Sequence, residues 1–94
     1  MAKFELNIYG QDDEIVKSYQ TDHIRFGVFL KAIEIQDKLD DMSTAEQFKA
    51  VCTIVKQIFT GLTDDEIMLA DMQDVFSIYK QASRQGLNSS NEKN

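Results

Sequence analysis

The sequence contains one cysteine and one histidine, and these low numbers exclude several kinds of site. Cys52 cannot form a disulfide within the chain because it has no second cysteine to pair with. With His23 as the only histidine, the cluster of Cys and His ligands that a structural zinc site needs is also missing. The chain has no glycine-rich loop of the type that binds phosphate groups. We therefore expect no metal and no cofactor.

An excess of basic residues and a long apolar run are also missing. Ten basic residues against sixteen acidic ones give a net charge of −6, which disfavours contact with nucleic acid or anionic membranes. No apolar run approaches the roughly 20 residues that span a bilayer. Residues 1–9 alternate polar with apolar residues, unlike the core of a signal peptide. The sequence therefore predicts a cytoplasmic protein without nucleic-acid or membrane partners.

What is present is typical of one small folded domain. The chain has 94 residues, of which 43% are hydrophobic and 28% are charged. A chain of this size buries only about 60–65% of its unfolded surface, which leaves no room for a catalytic cleft between two domains. His23 has no indicated catalytic partner, and Cys52 lies on an apolar helix face where a thiol is inert. We predict that the protein is not an enzyme.

The first twenty residues predict a β-hairpin. Polar and apolar residues alternate strictly over residues 3–9, which is the period of a half-buried strand. Residues 10–13 are typical of a turn, and residues 14–20 are rich enough in β-branched and aromatic residues to return as a second strand. Because a lone hairpin is only marginally stable, this one must pack on other elements.

The next part of the chain predicts two long amphipathic helices. Apolar residues recur at helical spacing up to about Asp40, and Thr21 or Asp22 can cap the start of this first helix. Residues 43–46, Ser-Thr-Ala-Glu, have the form of a capping box in front of a second, strongly periodic helix. Gly61 is a suitable residue to end that helix because it accepts a left-handed conformation.

The last part of the chain predicts a short helix followed by a longer one. Residues 63–66 form a second capping box, and Asp71 can cap a new helix behind it. We expect residues 1–86 to form a single domain and the polar residues 87–94 to be a disordered tail. The predicted fold class is therefore α+β, with an N-terminal β-hairpin packed on three or four α-helices.

A domain of this size needs most of its large apolar side chains for its core. The predicted core residues are Phe4, Leu6, Ile8, Phe29, Ile33, Phe48, Val51, Val55, Phe59, Val75 and Phe76. Some apolar surface is left over, because Ile35 and Ile54 fall off the main faces of their helices and Val28 widens the first face. The candidate partner-binding residues are Phe26, Val28, Ile35, Ile54 and Tyr79.

The order of these parts resembles the tail assembly chaperones of siphophages that infect Gram-positive hosts. The similarity lies in residues 25–39, RFGVFLKAIEIQDKL, and residues 54–66, IVKQIFTGLTDDE, between the hairpin and the last amphipathic helix. The second segment is similar to a family helix ending in Leu-Phe-x-x-x-Phe-Thr-x-Asp-Asp-Leu. It departs from that pattern by an added Gly61-Leu62 before the two aspartates, and the glycine often found before the last helix is absent at Ala70-Asp71.

The resemblance implies a protein that binds the long phage tape measure protein in the host cytoplasm and helps to recruit the tail tube protein. It implies no catalytic residues, and leftover apolar surface also allows self-association. Two alternatives stay open: an acidic phage-encoded inhibitor or DNA mimic, and a small antitoxin-like regulatory module. Four lysines, at positions 31, 38, 49 and 56, interrupt the acidic residues and argue mildly against a DNA mimic.

The final three residues generate a prediction about the gene. Glu92-Lys93-Asn94 can be encoded as GAA AAA AAC, which contains the heptamer A AAA AAC, where two ribosome-bound tRNAs can re-pair one nucleotide back. The resembled family often extends its chaperone by such a programmed frameshift near the end of the first reading frame. We expect the gene to contain this heptamer and an overlapping shifted frame. The gene sequence checks this, and a stop codon after Asn94 without an A-rich heptamer nearby would contradict it.

Overall fold

The alternating residues near the N-terminus form an antiparallel β-hairpin. The structure, a computed structural model, describes the backbone of residues 4–91 and the side chains of residues 4–83. Strand β1 spans Phe4–Tyr9 and pairs with strand β2, Ile15–Thr21. The polar turn between them is closed by the backbone N–H of Gly10, which donates to the carbonyl of Glu14 at 2.8 Å.

Four α-helices follow the hairpin in the described part of the chain. They are α1, Phe26–Lys38; α2, Thr44–Ile58; α3, Asp64–Ile67; and α4, Met72–Asn91. A short 3₁₀ turn, Leu39–Asp41, extends the end of α1. This arrangement confirms the predicted α+β class and the short helix followed by a longer one. Across the residues that the structure describes, no helix combines the length and the apolar character needed to cross a membrane.

The predicted helix starts at α2, α3 and α4 are confirmed by their capping bonds. The side chains of Ser43 and Thr63 accept hydrogen bonds from the backbone N–H groups three residues later, and both capping boxes are complete. The carboxylate of Asp71 accepts from the backbone N–H of Gln73 at 2.7 Å. These bonds satisfy N–H groups that a helix start leaves without a partner, and so fix where each helix begins.

The start of α1 lies later in the chain than the sequence predicts. Thr21 still belongs to β2, and its hydroxyl donates to the carbonyl of His23 at 3.2 Å in the connection to the helix. Arg25 occupies the N-cap position of α1 without a side-chain hydrogen bond. The capping role predicted for Thr21 or Asp22 is therefore wrong, because the polar residues here serve the connection between strand and helix.

Helix α4 continues past Gly86 to Asn91, whereas a disordered tail is predicted from residue 87. The structure differs from that prediction over residues 87–91, and residues 92–94 lie outside the described residues. A single glycine costs a helix interior only about 1 kcal/mol relative to alanine, and the segment contains no proline. Nothing in the local sequence therefore forces the helix to end at Gly86.

The core lies between the inner face of β1 and the helices. The predicted core residues found buried are Phe4, Leu6, Ile8, Val51, Val55, Phe59 and Val75. Four predicted core residues are not fully buried. Phe29, Ile33 and Phe76 are half-buried, and the side chain of Phe48 is 50% exposed. Phe48 and Phe76 instead contact each other across α2 and α4, with ring centroids 5.5 Å apart. Ile54 and Ile78 are also buried in the core, although the predicted core residues do not include them.

Phe59 provides a direct test of this core. Its side chain is 2% exposed, and its ring lies 6.2 Å from that of Tyr19 on β2. We expect Phe59→Ala to lower the free energy of unfolding by about 3–5 kcal/mol, because it leaves a cavity among packed side chains. The matched control is Phe26→Ala, which shortens a side chain that is 70% exposed and should change the free energy by less than about 1 kcal/mol. Urea unfolding followed by circular dichroism measures both, and equal losses would contradict this assignment.

Candidate functional site

Helix α1 has apolar side chains on two sides, and one of these sides faces the core. The inward side consists of Val28, Ala32 and Ile35, which are spaced by four and three residues and so lie on one face of a helix. Ala32 is fully buried, and Val28 and Ile35 pack against the core. The small side chain of Ala32 lets α1 approach α2 and α4, both of which it contacts.

The second apolar side of α1 points outward. It consists of Phe26, Phe29, Leu30 and Ile33, which we name the α1 stripe. At about 100° per residue, the centre of this stripe lies about 140° around the helix from the inward face. Phe26 is 70% exposed and Leu30 is 46% exposed, while the other two members are half-buried. The rings of Phe26 and Phe29 contact each other, with centroids 5.9 Å apart.

The orientation of α1 corrects the sequence interpretation of this helix. The sequence assigns two members of the α1 stripe, Phe29 and Ile33, to the core. The structure turns the helix so that the smaller residues Val28 and Ala32 face inward instead. Spacing alone cannot decide between two apolar faces, since both recur with the same period. The packing of α1 on its neighbouring helices decides it.

The five candidate partner-binding residues are divided between surface and interior. Phe26 is exposed, and Val28 and Ile35 are half-buried against the core. Ile54 and Tyr79 are buried and therefore offer no surface to a partner in this structure. Ile54 is buried because α2 has a wide inward face that includes both Ile54 and Val55. Tyr79 points from α4 to α1, where its hydroxyl donates to the side-chain oxygen of Gln36 at 3.1 Å.

A second exposed apolar surface lies between α3 and α4. It is formed by Met68, Leu69 and Met72, which we name the corner patch. The carbonyl of Leu69 accepts a hydrogen bond of 3.1 Å from the backbone N–H of Tyr9, so this connection is attached to the edge of β1. This surface is not among the candidates predicted from the sequence, although the run of apolar residues from position 67 to 69 indicates it. Only the first residue of that run, Ile67, is buried.

A polar cluster joins the hairpin to α3. The carboxylate of Glu66 accepts hydrogen bonds from the Tyr19 hydroxyl, from Lys17 Nζ at 2.9 Å and from the backbone N–H of Thr63 at 3.1 Å. Lys17 Nζ also lies 4.8 Å from the centroid of the Tyr19 ring. The hydrogen bonds from Tyr19 and Lys17 lower the pKa of Glu66 to about 2. The cluster therefore connects β2 to α3, two elements that are distant in sequence, which is a structural role.

The residues that carry reactive groups are separated in the structure. Burial raises the pKa of the Cys52 thiol, so the reactive thiolate form is disfavoured. A cleft of about 200 Å³ beside His23 is lined also by Arg25 and Gln57. This is smaller than the roughly 300–1,000 Å³ of typical ligand pockets. Within the described part of the chain, no three His, Cys, Asp or Glu residues are grouped so that they could hold a metal ion.

The exposed apolar surfaces are the features of the described residues that point to a function. Comparisons with protein-family models, with curated proteins and with solved structures find no match. The most distinctive surface features are the α1 stripe and the corner patch, both on a protein with a net charge of −6. Exposed apolar patches with polar surroundings are typical of surfaces that contact other proteins.

The lowered pKa of Glu66 generates a prediction about stability and pH. The ordinary value is 4.5 and the folded value is about 2, so between these two pH values the unfolded chain binds a proton that the folded protein does not. Acid therefore favours unfolding there, and the stabilisation by the Glu66 charge is fully present only above the ordinary pKa. We expect Glu66→Gln to lower the melting temperature near neutral pH, and the difference from the parent to shrink as the pH falls towards 2.

A matched variant separates this effect from general acid unfolding. Glu34 has an exposed side chain on α1, distant in sequence from the cluster. Glu34→Gln removes the same charge without disturbing the bonds to Tyr19 and Lys17. Melting curves of the parent and both variants over the acidic range make the comparison. A difference for Glu66→Gln that stays constant from neutral pH to pH 2 would show that the cluster does not depend on the ionised carboxylate.

Proposed function

We propose that this protein is a phage tail assembly chaperone, which binds a tape measure protein in the host cytoplasm and has no enzymatic activity. The proposal rests on the resemblance of residues 25–39 and 54–66 to that family, and on the surface of the folded chain. The single observation that carries it is the α1 stripe. A helix of a small domain normally has one apolar face, which it buries, and this helix has a second apolar face that is exposed.

The α1 stripe suits a chaperone because of what it offers to a long helical partner. Tape measure proteins are long and helical, with apolar stripes that would be exposed in the absence of other proteins. An exposed stripe on α1 can cover such a surface by the packing of one helix against another. Burial of apolar surface supplies the free energy for that contact. The aromatic residues Phe26 and Phe29 provide a large contact area at one end of the stripe.

The net charge and the corner patch support the same proposal. A charge of −6 keeps chains in solution when many copies cover one partner, because charged surfaces repel each other and remain hydrated. The corner patch gives the protein a second apolar surface, on different elements from the first. Its two methionines are flexible and polarizable, which suits contacts with variable partners. We assign to this surface the recruitment of the tail tube protein.

The proposal predicts that the chain keeps a tape measure protein in solution. Co-expression with the tape measure protein of the same phage should move that protein from the pellet to the soluble fraction, and the two should purify together. Because the contact is mainly apolar, the complex should survive washing at high salt. A suitable control is co-expression with an unrelated acidic domain of similar size. If the pair does not purify together at any salt concentration, the proposed function fails.

A further inference from the structure

We propose that the α1 stripe and the carboxylates at the C-terminal end of α1 form one docking surface for a basic amphipathic helix of a partner protein. The inference gives the chemistry of the partner and rests on the proposed function to that extent. Its basis is the way in which apolar and acidic side chains follow each other along the outer side of α1. The apolar part lies towards the start of the helix, and the acidic part lies at its end.

The carboxylates continue the α1 stripe along the same side of the helix. Glu34 follows Leu30 by four residues, and Asp37 follows Ile33 by four residues. Residues four apart lie above one another on a helix surface, so these carboxylates extend the two rows of the stripe by one turn. From Phe26 to Asp37 the surface is about 16 Å long at 1.5 Å per residue, which matches about three turns of a partner helix.

The 3₁₀ turn adds more negative charge to this end. Asp40 and Asp41 are exposed and follow directly after α1. The side chains described by the structure form two salt bridges, Lys17 with Glu66 and Lys56 with Asp64, and neither includes an acidic residue of this end. By the same angular count, Lys31 and Lys38 lie about 150° and about 130° around the helix from the centre of the stripe. The acidic end is therefore available to basic residues of another molecule.

The stability of α1 does not account for these carboxylates. The C-terminal end of a helix has a partial negative charge, so acidic residues there are unfavourable and basic ones are favourable. The last turn of α1 nevertheless contains Asp37 beside the basic residue Lys38. Asp40 and Asp41, in the 3₁₀ turn, come just before Ser43, the N-cap of α2, and there their charge is favourable. Asp37 is therefore unfavourable for the stability of α1, and it lies beside an exposed apolar stripe, where a binding role accounts for it.

Charge favours a basic partner over a second copy of this chain. Two copies would each bring a net charge of −6, and the repulsion between them opposes association. A partner helix with apolar residues at positions i, i+3, i+4 and i+7 can pack on the stripe, while Lys or Arg residues at one of its ends meet the carboxylates. Complementary charges of this kind fix the direction in which the partner helix lies and suppress wrong partners.

A synthetic peptide tests the inference with the intact protein. The probe is an 18-residue amphipathic helix with Leu at that spacing and three Lys residues in its last turn, and its binding is measured by isothermal titration calorimetry. One control peptide has the same composition in scrambled order, and another has Glu in place of the three Lys. We expect the probe to bind and each control peptide to bind at least tenfold more weakly. Equal binding of all three peptides would overturn the inference.

Variants of the protein locate the peptide on the surface. Phe26→Ser with Leu30→Ser should weaken binding of the probe at least tenfold, and Asp37→Asn with Asp40→Asn should weaken it severalfold at low salt and little at high salt. The matched control is Met68→Ser with Met72→Ser, which removes exposed apolar side chains from the corner patch and should leave binding unchanged. All these side chains are exposed, and melting curves verify folding. Equal losses in the stripe and corner variants would overturn the inference.

Two further measurements make the result independent of variant stability and of the tape measure protein. Backbone amide signals of α1 in the parent protein should shift on addition of the probe, and sedimentation should show the free protein as a monomer. A dimer that is lost in the stripe variant would assign the stripe to a second copy and overturn the inference.

If the tape measure protein purifies equally well with the stripe variant, the inference fails but the proposed function stands. If the probe binds the stripe but the tape measure protein does not bind the protein, the inference stands and the proposed function fails.

Discussion

The inner face of β1 is the contact on which the rest of the structure depends. A two-stranded hairpin is marginal by itself, so Phe4, Leu6 and Ile8 have to be covered. The face of α4 that contacts β1 supplies part of this cover, and the segment before α4 bonds to the strand edge through Leu69 and Tyr9. Helix α4 contacts both β1 and α1, and α1 also packs on α2, so the orientation of α1 follows from the positions of these two helices.

This order of constraints explains which features could be predicted from the sequence. The hairpin, the capping boxes at Ser43 and Thr63 and the break at Asp71 are local, because each depends on residues within a few positions of one another. The orientation of α1 does not depend on local residues alone. The helix has two apolar faces, and its contacts with the neighbouring helices determine which of them is buried. The burial of Ile54 and Tyr79, two of the candidate partner-binding residues, is not local either, because a prediction from one helix does not include the width of its contact with others.

The candidate site is therefore a consequence of the limited size of the core. The chain buries the side of α1 that contains Ala32, which allows close helix contacts, and leaves the larger residues of the α1 stripe outside. A sequence that served folding alone would place polar residues there, because exposed aromatic side chains such as Phe26 contribute little to stability and favour aggregation. Glu34 and Asp37 beside the stripe limit nonspecific contacts with other apolar surfaces and favour partners of the opposite charge.

The α1 stripe and the corner patch belong to different elements, and the polar cluster of Tyr19, Lys17 and Glu66 attaches α3, beside the corner patch, to β2. Glu66 lies on α3, directly before the corner patch, and its bonds to β2 restrain this part of the chain relative to the hairpin. The same hairpin packs against the core that α1 shares with its neighbouring helices. If each surface binds a different protein, one chain would hold two partners in a defined relative position. Under the proposed function, these two surfaces would be assigned to the tape measure protein and to the tail tube protein, whereas a simple solubilising coat would need only one of them.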